Sequence, residues 1–283
     1  MNRDKWNSTN WLTANSYEMY KGTEDITSPA GLQLILQSDL KSDIERSINV
    51  LDLGFGLGQI SQQIIKFVSD IDKNEIRIVA GDTDDSLLEG LKIRKRDQQS
   101  EGWNIVNVEK IDANAIDRPN DTFDYIYCNF LYFLLKDPIN GLQESIRVLK
   151  SGGTLSFSTW AYSGPFQLLQ HAIALFPSYP LTPSPPSGSS WTHPQSVRKI
   201  LEEHKLKDII ITPFEFFQYA DNPRQMAKKM WPVVKVISSR WGEQQGELGW
   251  KVFEKIEELL KRDQGDEEVK IASVALIVTA KKP

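Results

Sequence analysis

From about residue 30 to 160 the chain alternates short apolar runs with segments whose apolar positions recur at three and four residues. GLQLILQSDLKSDI (31–44) has helical spacing, and SINVLDLGF (47–55) is an apolar run ending in glycines, as a buried parallel strand should be. GQISQQIIKFVSDI (58–71) then sets Ile60, Ile64, Ile65 and Val68 on one helical face. EIRIVAGD (75–82) predicts a second strand, DSLLEGLKIRKRDQ (85–98) a helix, NIVNVEKIDA (104–113) a third strand and FDYIYCNF (123–130) a fourth. DPINGLQESIRVLKSGG (137–153) reads as a helix closed by glycine, followed by a fifth strand, TLSFSTW (154–160). Strands and helices alternating at this spacing predict an α/β fold with a doubly wound, mostly parallel sheet.

Beyond Trp160 the rhythm changes. Residues 163–194 are proline-rich, and TPSPPSGSS (182–190) within them predicts a loop. A helix (193–204) and a strand (KDIIITPFEFF, 207–217) follow, then a helical region carrying Met226, Met230, Trp231, Trp241 and Trp250. VKIASVALIVTAKK (269–282) predicts a last strand. The helical region interrupts the sheet between its final two strands and reads as part of a cap, with the tryptophans as cap core.

Composition narrows the chemistry. One cysteine, Cys128, among 283 residues excludes a disulfide framework, a Cys-based zinc site and an iron–sulfur cluster, and suits a reducing, cytoplasmic setting. Three histidines, His171, His193 and His204, leave little for a metal centre, so none is expected. With 33 basic and 38 acidic residues the net charge is −5, which argues against a nucleic-acid binder. The cluster Lys92, Arg94, Lys95 and Arg96 fits a solvated helix end. The polar start MNRDKWNSTNW lacks the apolar stretch of a signal peptide, and IASVALIVTA (271–280) is too short to span a bilayer, so a soluble protein is expected.

VLDLGFGLGQI (50–60) is the strongest chemical signal. Gly54, Gly56 and Gly58 fall where a strand becomes a helix, a place where backbone N–H groups can face a ligand. The spacing G-x-G-x-G is not the G-x-G-x-x-G of dinucleotide binders. Asp52 ends an otherwise apolar strand and needs a partner there, a role that the ammonium of a ligand would suit. Asp82, at the tip of the second strand, can accept from both hydroxyls of a ribose, with Asp84 or Asp85 left to cap the next helix. Asp112 follows the third strand, where it could accept from an adenine amino group.

Together these residues resemble the class I S-adenosylmethionine (SAM)-dependent methyltransferases over about residues 45–160, in their UbiE-like, small-molecule branch. VLDLGFGLG looks like the family's motif I, GDTDDSLL like the segment after it, and IDA like the adenine-binding step. NDTFDYIYCNFLYFL and IRVLKSGGTLSFSTW resemble the segments around the fourth and fifth strands. The resemblance implies SAM as cofactor, held by Asp52, Gly54, Phe55, Gly56, Gly58, Asp82, Thr83, Leu87, Asp112, Ala113, Asn129 and Phe130. It also implies a Rossmann-like sheet of seven strands in the order 3-2-1-4-5-7-6. Residues 1–29 would form a lid, 30–160 the SAM-binding core, 161–194 and 218–265 an acceptor-side cap, and 205–217 and 269–282 the last two strands of a single methyltransferase domain.

By the same resemblance the acceptor would meet Tyr20 in the lid, Tyr132 and Phe133 after the fourth strand, Trp160 after the fifth, and Trp191 and His193 at the end of the proline-rich loop. The expected reaction is in-line methyl transfer to a small, partly apolar or aromatic molecule, the acceptor atom and any general base being unspecified. Arsenite methylation is set aside, since thiol-based arsenic chemistry needs more than one cysteine. A non-catalytic SAM-fold protein that binds a partner through its aromatic cap, and a nicotinamide-dependent reductase, are the competing readings.

Overall fold

A computed structural model describes residues 17, 24–40, 47–68, 75–176, 190–238 and 245–283. Seven strands form one sheet in the order β3-β2-β1-β4-β5-β7-β6. They are β1 Ile48–Leu53, β2 Ile76–Asp82, β3 Val106–Lys110, β4 Phe123–Asn129, β5 Leu149–Ser163, β6 Lys207–Ala220 and β7 Val269–Lys281. The pairs β3–β2, β2–β1, β1–β4 and β4–β5 are parallel. At the β5–β7 seam, Gly152 N–H donates to Lys282 O (2.8 Å) and Lys282 N–H to Gly153 O (3.1 Å). The start of β5 thus lies beside the end of β7, which runs antiparallel to it. The expected fold and strand order are therefore the observed ones.

The chain packs as two compact units. One gathers Glu24–Ala161, Pro186–Phe214 and Ala275–Pro283, and the other draws on Tyr162–Pro185 and Glu215–Val274. In the first, β1 is buried on both faces because helices cover both, as its mostly apolar sequence demands: Val50, Leu51 and Leu53 are all within 1% of full burial. Helices α1 Ser28–Gln37, α2 Gln59–Phe67, α3 Asp85–Asp97, α4 Pro138–Val148 and α6 Pro194–Glu203 belong to this unit. In α2 the residues predicted to share a face, Ile60, Ile64 and Ile65, are buried as one stripe. Arg94 of α3 departs from the solvated role expected of its cluster: its guanidinium donates to Leu57 O (2.9 Å) and lies 4.6 Å over the ring of the buried Trp103.

The second unit holds α5 Gly164–Ala174, α7 Pro223–Lys229, α8 Trp231–Ser238 and α9 Gln245–Gln264. Its core is Leu169, Met226, Met230, Trp231, Phe253, Ile256 and their neighbours. Trp250 stacks on Phe253 at 5.0 Å, and Trp231 meets the same ring edge-on at 5.5 Å. Trp231 is thus buried in this core and Trp250 is packed against it; Trp241 lies outside the described residues.

Three boundaries differ from expectation. The first helix begins at Ser28 and ends at Gln37, where Ser38 turns the chain by donating its hydroxyl to Ile35 O (2.8 Å). β3 starts only at Val106, because Trp103–Ile105 forms a 3-10 turn. The helix expected over 137–153 stops at Val148, and the glycines after it lie inside β5. There the register steps from Phe123↔Leu149 to Tyr125↔Thr154, leaving β5 with three extra residues as a bulge. A Cβ on Gly153 would come within 2.9 Å of two backbone oxygens, so glycine marks a bulge here and not a helix end.

Candidate active site

The turn leaving β1 places Gly54, Gly56 and Gly58 at φ of +70°, +56° and +78°, a region that side chains with a Cβ rarely adopt. Their surroundings separate their roles. A Cβ on Gly54 would meet Leu131 at 2.7 Å and one on Gly58 would meet Leu91 at 2.6 Å, whereas one on Gly56 finds only Gln59 Oε1 at 3.8 Å. The outer glycines make room for packing; the middle one leaves a gap that a ligand can fill. Gly58 is the N-cap of α2 and has no side chain to cap it, and of the first N–H groups that of Ser61 is taken by Asp52.

Two carboxylates flank this turn at the adjoining ends of β1 and β2. Asp52 is 1% exposed, and its Oδ2 accepts from Ser61 N–H (3.0 Å) and Ser61 Oγ (2.6 Å). Burial pushes its carboxyl up to about 6 against the pull of these bonds, and the charge of Asp82 adds to the rise. Asp82 Oδ1 accepts from Thr83 N–H (2.7 Å) and Asp84 N–H (3.1 Å), while Oδ2 accepts from Gly56 N–H (3.2 Å). Burial raises its pKa as well, partly offset by those backbone donors. Capping falls to Asp84, whose Oδ1 accepts from Ser86 and Leu87 N–H, and Asp85 instead pairs with Lys110. Asp82 is therefore spared for the turn. Two carboxylates made costly by burial, beside a gap at Gly56 and a helix start, form a donor set that fits a zwitterionic, cationic ligand with a ribose; SAM has that chemistry.

The other residues predicted for the cofactor divide by depth. Leu87 (7% exposed) and Ala113 (5%) are buried, Thr83 and Asp112 are exposed, and Asp112 Oδ1 accepts from Asn114 N–H at 2.8 Å. The rings of Phe55 (3% exposed) and Phe130 (5%) belong to the core, so what they can offer a cofactor is backbone. Asn129 is a strut, its Oδ1 accepting from Ser158 Oγ (2.7 Å) and its Nδ2 donating to Thr27 O (3.3 Å).

On the acceptor side the structure buries two of the residues expected to meet the acceptor. Tyr132 is 1% exposed because the 3-10 turn after β4 rotates it inward. There it closes a one-way chain: Cys128 Sγ donates to Tyr132 Oη (3.4 Å), Tyr132 Oη to Ser145 Oγ (2.9 Å) and Ser145 Oγ to Gly141 O (2.9 Å). Trp191 is 3% exposed and stacks on Tyr132 at 5.3 Å. Both pack in the hydrophobic core. Phe133 is half-buried against the same core, Trp160 is partly exposed, and His193 is an exposed N-cap of α6 without a side-chain capping bond. Tyr20 lies outside the described residues.

Sequence reading missed Ser61 and Ser158. Ser61 could have been found, since the third position of a predicted helix faces the strand that precedes it. Ser158 gave no signal, because its role depends on the β4–β5 register, Asn129↔Ser158.

Residues 51–157 match the family model described as a methyltransferase domain. The chain is 27% identical over 187 residues to "Methyltransferase tpcH" of Aspergillus fumigatus, a match covering 64% of this chain and 65% of that protein. It is 34% identical over 116 residues to a "Ubiquinone/menaquinone biosynthesis C-methyltransferase UbiE" of an Enterobacter species, covering 40% and 43%. Among solved structures, the "[4+2]-Cyclase SpnF" superposes with a TM-score of 0.53 at 17% identity, over 90% of this chain and 80% of that one. The matched segment holds the glycine turn, Asp52, Asp82 and Asp112, and the sheet around it has the strand order expected of that fold. The sequence match and the topology agree over this segment: residues 51–157 are similar to the methyltransferase domain, within the seven-stranded sheet expected from the resemblance to the class I SAM-dependent methyltransferases.

Proposed function

We propose that the protein transfers the methyl group of SAM to a small, partly apolar or aromatic acceptor. One observation carries the reading: the gap at Gly56 lies between two burial-stressed carboxylates at the joined ends of β1 and β2. When bound, SAM supplies a methyl group on a sulfonium, already activated for transfer. The protein's share is to bind and orient. Asp82 would take the ribose hydroxyls, the first N–H groups of α2 the carboxylate, and Asp52 would balance positive charge from behind the turn. Holding the acceptor in line is the main source of rate, worth roughly 7–11 kcal/mol in favourable systems. A base is needed only for an acceptor that binds protonated.

A second reading is kept because the cyclase neighbour shows that this fold also serves other chemistry. In that reading the protein binds SAM without transferring its methyl. Calorimetric titration with S-adenosylhomocysteine tests the site: Asp82→Ala and Gly56→Val should each weaken binding severely, and unchanged affinity in both would refute the assignment. A screen for S-adenosylhomocysteine formation across phenols, amines, acids and thiols separates transfer from binding alone.

A further inference from the structure

Thr27 is the N-cap of α1, a place where a threonine hydroxyl ordinarily accepts from an N–H of its own helix, yet it makes no such bond. Its Oγ1 accepts instead from Gln59 Nε2 at 3.4 Å, across 32 residues of chain. Thr27 O is held as well, accepting from Gly31 N–H (3.1 Å) and from Asn129 Nδ2 (3.3 Å). Asn129 ends β4, and its Oδ1 accepts from Ser158 Oγ, which in turn accepts from Phe130 N–H at 2.9 Å. The seat is tight, since a Cβ on Gly31 would stand 3.2 Å from Ile60 and 3.5 Å from Asn129 Nδ2. The start of α1 is therefore tied by two amides, one from the first residue of α2 and one from the end of β4. Gln59 has a second engagement. Its Oε1 is the atom that a Cβ on Gly56 would meet, at 3.8 Å, so the amide borders the gap left for a ligand. One planar group thus faces the gap with its acceptor and holds the N-cap of α1 with its donor. Asn129 lacks this property, since both ends of its amide are bonded within the protein.

We infer that Gln59 is a positioning residue that couples occupancy of the Gly56 gap to the seating of α1. This deepens the methyltransferase reading and rests on it for the identity of the ligand. A ligand N–H or O–H that donates to Oε1 polarises the amide and strengthens its other bond, because hydrogen bonds in series reinforce one another. At 3.4 Å the bond from Nε2 to Thr27 Oγ1 is longer than the optimum, so it has slack to take up. The linkage is reciprocal. A seated α1 holds the amide in the orientation that the ligand needs, and raises affinity by the factor by which the ligand steadies α1.

Hydrogen exchange on the full chain, with and without saturating S-adenosylhomocysteine, reads the coupling at amides 31–34, whose helical bonds run back to residues 27–30. In wild type the ligand should slow their exchange about tenfold. Gln59→Met keeps the length of the side chain and removes both polar ends, whereas Thr27→Val keeps the shape of the N-cap and removes only the hydroxyl. Each should cut the slowing to below about twofold, and Thr27→Ser should keep it. In calorimetry Thr27→Val should weaken S-adenosylhomocysteine binding several-fold, although Thr27 does not border the gap, and should add nothing further in a Gln59→Met background. A merely structural role would change exchange equally with and without ligand and leave affinity alone. Should Gln59→Met not fold, Thr27→Val with its serine rescue decides. Binding to wild type without slowing at 31–34, or slowing that survives in Thr27→Val, overturns the coupling and leaves the cofactor site standing. Folded wild type that does not bind S-adenosylhomocysteine would remove the methyltransferase reading, and the coupling with it.

Discussion

Asp52→Asn is the most informative single change in this protein. The buried carboxyl is pushed from 3.8 up to about 6, which corresponds to roughly 3 kcal/mol between its two protonation states. The sign follows from the direction. A carboxyl whose pKa is raised on folding favours the folded state fully below pH 3.8, and that contribution is lost as pH rises through about 6. Asparagine keeps the shape and an acceptor for Ser61 but cannot ionise. Urea melts of both proteins from pH 4 to 8 should therefore show wild type losing about 2.5 kcal/mol relative to Asp52→Asn between pH 4 and 7. Binding a cationic ligand favours the ionised form, so SAM, with its sulfonium, should release up to about one proton near pH 5, read by calorimetry in buffers of different ionisation enthalpy. A wild-type-minus-mutant difference that stays flat from pH 4 to 7 would show that Asp52 is not held in the stressed state its burial implies.

The glycine turn predicts a contrast. Gly58→Ala should cost about 2–4 kcal/mol in melts, combining a left-handed backbone with overlap against Leu91. Gly56→Ala should cost only about 1 kcal/mol yet weaken S-adenosylhomocysteine binding more than its stability loss explains. Burial pushes the Cys128 thiol up to about 12, so native protein should resist iodoacetamide at pH 8 and react only when unfolded. Tyr132→Phe should lower stability by about 1–2 kcal/mol by breaking the chain from Cys128 to Gly141, and leave acceptor preference in any active assay unchanged.

What was legible in the sequence is what local chemistry decides. β1 and β2 show as mostly apolar runs because parallel strands are largely buried on both faces, and the glycine turn shows because its backbone conformations admit little else. Asp82 was readable because Asp84 is there to cap the helix. The burial of Tyr132 and Trp191 was not legible because an aromatic after a strand looks the same whether the next turn rotates it out to a ligand or in to a core. The bulge in β5 hid for a like reason: Ser151–Gly152–Gly153 reads as a helix end until the pairing with β4 is known. Ser158 and Phe130 depend on a partner strand 28 residues away, and no periodicity records that.

Arg94 carries a consequence of its own. It stands in a run of cations on the outer turn of α3, yet its guanidinium reaches Leu57 O inside the glycine turn and covers Trp103, whose ring lies 3.2 Å from where a Cβ of Gly58 would be. The turn is braced from outside the sheet by a planar group that lysine cannot imitate. Arg94→Lys preserves every charge and would still slacken the turn. A catalogue of tolerated surface changes in this protein should therefore set Arg94 apart from the cations beside it, as a brace of the glycine turn.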